Sequence, residues 1–363
     1  MRNACFLLSG YSAKKNEEVL NAFSQSGYFF DDVIFCPSAL SGEKSLLDLI
    51  EKIKEFDAVA LLCESSALDK VKNALLSAFN PTYTQLNEQG AGIYSNAQNT
   101  VFLLKNEKEY ADFVSRYALP YLTQKHGVRV DKTVIRAVCA DEKAARSHLE
   151  KIKCGLNGNI RLNYLVDADD YSIELTFDAT VPKILVDDVV REILDGLGAS
   201  VYALEDISIE ERLVQLLKLR GLKISVAESF TGGGIAKKIT SISGASEVYF
   251  EGLNTYNELS KIERLGVSEH TLKMDGAVSD KTAYEMAAGL LASGNVDVSI
   301  ATTGIAGPKS DRTNFPVGLS YIAVGTKERV FVYKFNFDGD RASITNKAIH
   351  HALFLTYLKL KEI

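Results

Sequence analysis

Short apolar runs alternate with amphipathic stretches through the first third of the chain. Ala4 to Ser9, Val33 to Cys36 and Ala58 to Cys63 read as strands, the last apolar throughout. Between them, Asn16 to Ser26 and Glu43 to Phe56 read as helices, the second with Leu46, Leu47, Ile50 and Ile53 at helical spacing. This β–α–β alternation predicts a parallel sheet covered by helices over residues 1–125. From 126 to 204 the pattern changes to a smaller α+β unit. Its predicted strands are Thr133 to Cys139, Asn159 to Val166, Tyr171 to Phe177 and Ala199 to Ala203, and its helices Asp141 to Lys153 and Val181 to Leu197.

Residues 205–363 read as an α/β/α layer. Ile207 to Leu219 is a predicted helix with a capping box at Ser208 and Glu211 and a core stripe of Ile209, Leu213, Leu216 and Leu217. Lys223 to Ala227 is a strand that runs into Glu228-Ser229-Phe230-Thr231 and three glycines, Gly232 to Gly234, followed by Ile235, Ile239 and Ile242 on one side of a helix. A strand, a glycine turn and a helix N-terminus predict an anion-binding corner. Gly276 to Leu291 is a turn and helix capped by Ser279, and Asp297 to Thr302 a buried strand ending in a second glycine-rich loop, Thr303 to Pro308. Gly318 to Gly325 and Arg329 to Phe337 form a predicted antiparallel pair, and Asp338 to Arg341 caps a last helix to Leu360. The glycine loops stand at strand C-terminal ends, where open α/β sheets bind ligands.

Composition narrows the function. A length of 363 residues favours two or three domains, and 46% hydrophobic with 24% charged residues is ordinary for a globular chain. A net charge of −6 argues against broad contact with a nucleic-acid backbone. Gly155-Leu156-Asn157-Gly158 matches the GxxG of RNA-binding modules, but a plain turn explains both glycines, and no nucleic-acid partner is expected. No apolar stretch approaches the roughly 20 residues of a membrane span, so no membrane partner is expected either. The five cysteines are widely spaced without a CxxC pair, which suits a reducing cytoplasm and argues against zinc. None lies beyond Cys154, so the C-terminal domain has no cysteine nucleophile.

Ser246, Tyr256 and Lys261 could make a nucleophile and its base, and covalent catalysis also needs donors for the charge that develops. His126, His148, His270, His350 and His351 all stand outside the motif stretches, so no Ser–His–Asp triad is expected. No His/Asp cluster predicts a catalytic metal, and no cofactor is expected. The remaining pair is serine with a desolvated lysine.

Glu228-Ser229-x-Thr231-Gly232-Gly233, Gly244-x-Ser246, Thr255-Tyr256 with Lys261, Gly276 to Ser279, Gly304 to Pro308, Pro316-Val317-Gly318 and Gly339-Asp340-Arg341 stand in one order. That order closely resembles the C-terminal nicotinamide-nucleotide amidase domain of the competence-damage-inducible CinA family, over about Ile207 to Leu360. The resemblance implies that residues 205–363 hydrolyse nicotinamide mononucleotide to nicotinate mononucleotide and ammonia. It implies Ser246 as nucleophile, Lys261 as base, Tyr256 as a hydrogen-bonding partner in the relay and Arg341 as a charge-bearing ligand or orienting group. As a base Lys261 needs a lowered pKa, for which burial and a neighbouring cation are required; Arg341 is the candidate cation, unless it serves only as a phosphate ligand. Glu228, Ser229, Thr231, Gly232, Gly233, Gly304, Ala306 and Gly307 are then substrate-binding, with Glu228 either binding a hydroxyl or tying down its loop. The likeness also implies a homodimer in the cytoplasm, a molybdopterin-binding-like domain over 1–125 and a KH-like unit over 126–204.

Departures from the family pattern stand out. Phe230 occupies a position usually cysteine, the residues between Tyr256 and Lys261 are reshuffled, and Gly307-Pro308-Lys309-Ser310-Asp311 carries less glycine after its proline than the family often has. The first domain lacks the glycine cluster and paired aspartates of a working hydrolase at Ser9 to Lys14 and Cys63 to Ala67. A metal and a pyrophosphate would therefore have few ligands there, and the domain is expected to have kept its fold and lost its hydrolase site. The rival readings are a non-catalytic nucleotide-binding or competence-associated scaffold, and a nucleotide pyrophosphatase acting through residues 1–125.

Overall fold

A computed structural model describes residues 2–8, 13–25, 28, 30–86, 92–105, 110–127, 130–156, 158–309 and 315–362. The Ser9 to Ser12 part of the expected first-domain site, Asn157 of the GxxG and Ser310-Asp311 lie outside them. The chain forms two compact units: Met1–Lys132 with Thr176–Val181, and Thr133–Leu175 with Pro182–Ile363. Most of the middle α+β segment therefore shares one unit with the C-terminal domain.

The first unit is a six-stranded sheet of β1 (Asn3–Leu7), β2 (Asp32–Phe35), β3 (Ala58–Cys63), β4 (Tyr83–Leu86), β5 (Gly92–Ser95) and β6 (Thr100–Lys105), in the order β2-β1-β3-β6-β5-β4. The first four strands in that order pair in parallel, while β5 and β4 add an antiparallel edge. The expected all-parallel sheet is thus mixed, because β4 and β5 form a hairpin that periodicity did not reveal. Alternation along β1 sends Ala4 and Phe6 to one core and Cys5 and Leu7 to the other. Helices α1 (Ala13–Gln25), α2 (Glu43–Ile53), α3 (Leu68–Ala74), α4 (Tyr110–Phe113) and α5 (Leu119–His126) complete the unit.

The middle segment pairs β7 (Val130–Val138), β8 (Ile160–Asp167), β9 (Asp170–Asp178) and β10 (Val201–Ala203) in the order β10-β7-β9-β8. It carries helices α6 (Glu142–Gly155) and α7 (Lys183–Leu197). Ala168 and Asp169, which join β8 to β9, both adopt left-handed backbone, with φ of 47° and 68°.

The C-terminal sheet runs β12 (Tyr249–Asn254), β11 (Ile224–Glu228), β13 (Val298–Gly304), β14 (Leu319–Thr326) and β15 (Val330–Asn336), in that spatial order. β12, β11 and β13 are parallel, and β14 and β15 antiparallel. Helix α8 (Ile209–Arg220) is capped as expected, Ser208 Oγ accepting from the Glu211 N–H at 3.3 Å. After it come α9 (Gly234–Thr240), α10 (Glu258–Leu265), α11 (Glu269–Met274), α12 (Asp280–Ala292) and α13 (Arg341–Glu362). Ser279 caps α12 through the Thr282 N–H at 3.1 Å.

Val226 packs into a core that includes Leu213, Leu217, Ile235 and Leu353, and Ala227 into one with Met286 and Leu290 on the other face. The first of these cores also contains Val138 and Tyr202 of the middle segment. The chain leaves β11 to one side for β12, then crosses back to β13 on the other. A crevice opens at such a reversal, outside the strand C-termini.

Candidate active site

Ser229, Thr255 and Ile305 directly follow the three parallel strands, so the parallel register brings them to one edge of the sheet. The Ser229 N–H donates to the Thr302 carbonyl at 3.1 Å, and the Thr255 N–H to the Glu228 carbonyl at 2.8 Å. These bonds fix the two loops against their neighbours. Helix α10 begins just beyond, with Asn257 Oδ1 accepting from the Leu259 N–H, and turns Lys261 back over the crevice.

The Lys261 side chain is 1% exposed. Its Nζ donates to Ser229 Oγ at 3.0 Å, to the Thr255 carbonyl at 2.6 Å and to the Tyr256 carbonyl at 3.4 Å. Burial lowers its pKa to about 8, against a smaller opposing effect of the Glu258 carboxylate. Arg341 is not the cause, contrary to the expectation from sequence. An amine with two fixed carbonyl acceptors and one hydroxyl neighbour can hold its lone pair toward that hydroxyl once neutral.

Ser246, the expected nucleophile, is exposed in a short 3-10 turn, Ala245–Glu247, that precedes β12. The strand's six residues separate this turn from Thr255, roughly 20 Å at ~3.3 Å per residue. The parallel register thus carries Ser246 to the opposite edge of the sheet, and the serine that meets Lys261 is Ser229.

The expected anion-binding corner is also corrected. Glu228 is buried beneath the glycine turn, and its carboxylate accepts the N–H groups of Gly233 and Ile235, each at 3.1 Å, and of Ala236 at 2.9 Å. The α9 N-terminus is therefore satisfied from within the protein, and Glu228 ties down its loop. Gly233 has a φ of 94°, a conformation that suits glycine. Thr231 is likewise engaged internally, its hydroxyl 2.7 Å from that of Thr302. Glu228→Gln should cost about 2–4 kcal/mol, because it replaces a charge-assisted acceptor with an amide that must point N–H toward N–H. Urea unfolding followed by circular dichroism checks this; unchanged stability would show that the carboxylate does not hold the turn.

The second glycine loop faces the same crevice. Gly307 has a φ of 82° and its carbonyl accepts from Arg341 Nη1 at 2.7 Å. Arg341 Nη2 donates to Tyr256 Oη at 3.3 Å. Tyr256 is 62% exposed, and the two side chains form a lip at the crevice. The N–H groups of Phe230, Thr231, Ala306 and Gly307 take no acceptor among the described residues. Phe230 packs in the core, and its ring would meet a Cβ added at Gly304. Among the described residues no group of three or more His, Cys, Asp or Glu side chains is arranged to hold a metal ion. No helix among them is long and apolar enough to cross a membrane.

A family profile described as the CinA C-terminal domain matches residues 206–360. A competence-damage inducible protein of Caldicellulosiruptor saccharolyticus is 32% identical over 327 residues, covering 84% of this chain and 79% of the relative. The chain belongs to the CinA family. A second competence-damage inducible protein, from Clostridium beijerinckii, is 37% identical over 246 residues, covering 66% of this chain and 59% of that protein. The crystal structure of the competence/damage inducible protein CihA from Agrobacterium tumefaciens is 36% identical with a TM-score of 0.41. That likeness covers 44% of this chain and 99% of the A. tumefaciens chain.

Proposed function

We propose that this CinA protein is an amidase that converts nicotinamide mononucleotide and water to nicotinate mononucleotide and ammonia. The observation that carries the reading is the contact between buried Lys261 and Ser229. The substrate is carried over from the family likeness, and the chemistry from that contact. Neutral Lys261 takes the Ser229 proton as Oγ attacks the carboxamide carbon. The carbonyl oxygen then carries the charge, and the Phe230 and Thr231 N–H groups are assigned to receive it, as the amide after a nucleophile does in other acyl-transfer sites. Protonated Lys261 returns its proton to the leaving nitrogen, and the C–N bond breaks to give ammonia and a Ser229 ester. Water, activated by the same amine, adds to the ester carbon. The C–Oγ bond breaks, the carboxylate forms, and Ser229 regains its proton. Arg341, Ala306 N–H and Gly307 N–H are assigned to the phosphate.

Purified chain should release one ammonia per nicotinate mononucleotide formed, unchanged by a chelator. Binding of the nucleotide without ammonia release would instead favour the non-catalytic scaffold. The pH profile gives an independent check. The base acts only when neutral, so kcat should rise about tenfold per pH unit below the Lys261 pKa of about 8 and level above it. A profile flat between pH 6 and 9 would reject Lys261 as the base. Because burial rather than Arg341 sets this pKa, Arg341→Gln should raise KM by roughly tenfold and leave the limb in place.

A further inference from the structure

Helix α13 begins at the Arg341 of the proposed site, yet its next turns are held from the middle segment. Lys347, His350 and His351 are all buried. Burying such groups is costly unless each finds a polar partner. The Nδ1 of His350 lies 3.0 Å from the Ala168 carbonyl, and the Nε2 of His351 lies 3.1 Å from Asp169 Oδ2. Lys347 Nζ stands 3.5 Å from Asp169 Oδ1 and also bonds Asp338. Both turn residues, Ala168 and Asp169, hold left-handed backbone, which non-glycine residues keep only where their surroundings demand it. The turn is anchored in turn: the Cys139 N–H donates to the Asp169 carbonyl at 3.0 Å, and Asp170 bonds Arg136 and Tyr202. Asp338 stands three residues ahead of Arg341, and Asp340 Oδ1 caps the helix through the Ser343 N–H at 2.8 Å. A short charged bridge, Asp169 to Lys347 to Asp338, thus reaches the turn that presents Arg341.

We propose that Asp169 of the middle segment is a positioning residue for Arg341, so that this segment sets how tightly the neighbouring site holds an anionic substrate. The inference rests on the amidase reading for its substrate but not for its geometry. Asp169→Asn is the fitting variant, because asparagine tolerates left-handed backbone and removes only the charge. In the intact chain, Asp169→Asn should raise KM for nicotinamide mononucleotide about three- to tenfold with kcat within about twofold. In an Arg341→Gln background it should add less than about twofold, since both act through one group. Multiplying effects, or an unchanged KM, would overturn the proposal. Hydrogen exchange supplies a readout that needs no activity. Amides of residues 344–347 should exchange faster in Asp169→Asn, while those of α12 keep their rate. Unchanged or uniformly raised exchange also overturns the proposal. Wild-type chain that releases no ammonia would sink the amidase reading, leaving the exchange result to judge the bridge. If Asp169→Asn fails to fold, Lys347→Gln breaks the bridge from the other end and is held to the same outcomes.

Discussion

Ser229→Ala is expected to abolish ammonia release, lowering kcat by at least about 10⁴-fold, the scale seen when an activated nucleophile is removed. Ser246→Ala should stay within about twofold of wild type. The contrast follows from register. β11 and β12 run parallel, so residues after each strand share one edge and residues before β12 share the other. Ser229 follows β11 and touches Lys261 at 3.0 Å, whereas Ser246 precedes β12 and is exposed. The fold should survive either change, since each removes a single hydroxyl. An active Ser229→Ala with a folded, inactive Ser246→Ala would return the nucleophile to Ser246 and reject the dyad drawn above.

Lys261→Met is expected to be nearly as damaging, by about 10³-fold or more in kcat, and Ser229→Ala in that background should add little because the two groups act as a unit. Methionine fills the volume of the lysine stem and brings no titratable group. The variant also carries a thermodynamic signature. A lysine whose pKa is about 8 when folded and 10.5 when unfolded is protonated more fully in the unfolded chain between those values. Wild-type stability should therefore rise with pH from about 8 to 10.5, by roughly 3 kcal/mol in total if nothing else titrates. Below pH 8 both states hold the proton and the contribution is constant. Subtracting the Lys261→Met pH–stability curve from the wild-type curve isolates this rise. A flat difference would mean that the folded amine titrates normally and is no base at pH 7.

Much of the architecture was legible because it lies in periodicity. The apolar run at Ala58 to Cys63 and the amphipathic helix after Ile207 formed where the pattern placed them, caps at Ser208 and Ser279 included. Lys261, Tyr256, Arg341 and both glycine loops do gather at one crevice. Which serine meets Lys261 was not legible, because Ser229 and Ser246 both stand in ordered motifs and spacing alone does not rank them. The missing signal was β12. Its half-exposed edge position gives Tyr249 to Asn254 no continuous apolar run, so its parallel pairing went unread. Had it been read, the rule that ligands meet strand C-termini would have favoured Ser229. Glu228 was ambiguous for a similar reason: whether a carboxylate faces a ligand or a helix end depends on where the next turn folds. The histidines His350 and His351 carry no local mark of their partner, which lies 182 residues away.

The carboxylate sealed beneath the Ser229 turn also bears on how a turnover ends. Glu228 already occupies the positive end of α9, so that helix has no attraction left to offer a newly formed anion. On the amidase reading proposed above, a carboxamide would enter this end of the crevice without charge and would leave it as a carboxylate. The phosphate end, assigned to Arg341 on that reading, would be alike in substrate and product. Chemistry at Ser229 is therefore expected to convert a ligand held at both ends into one held at a single end, and departure of the product becomes the downhill step.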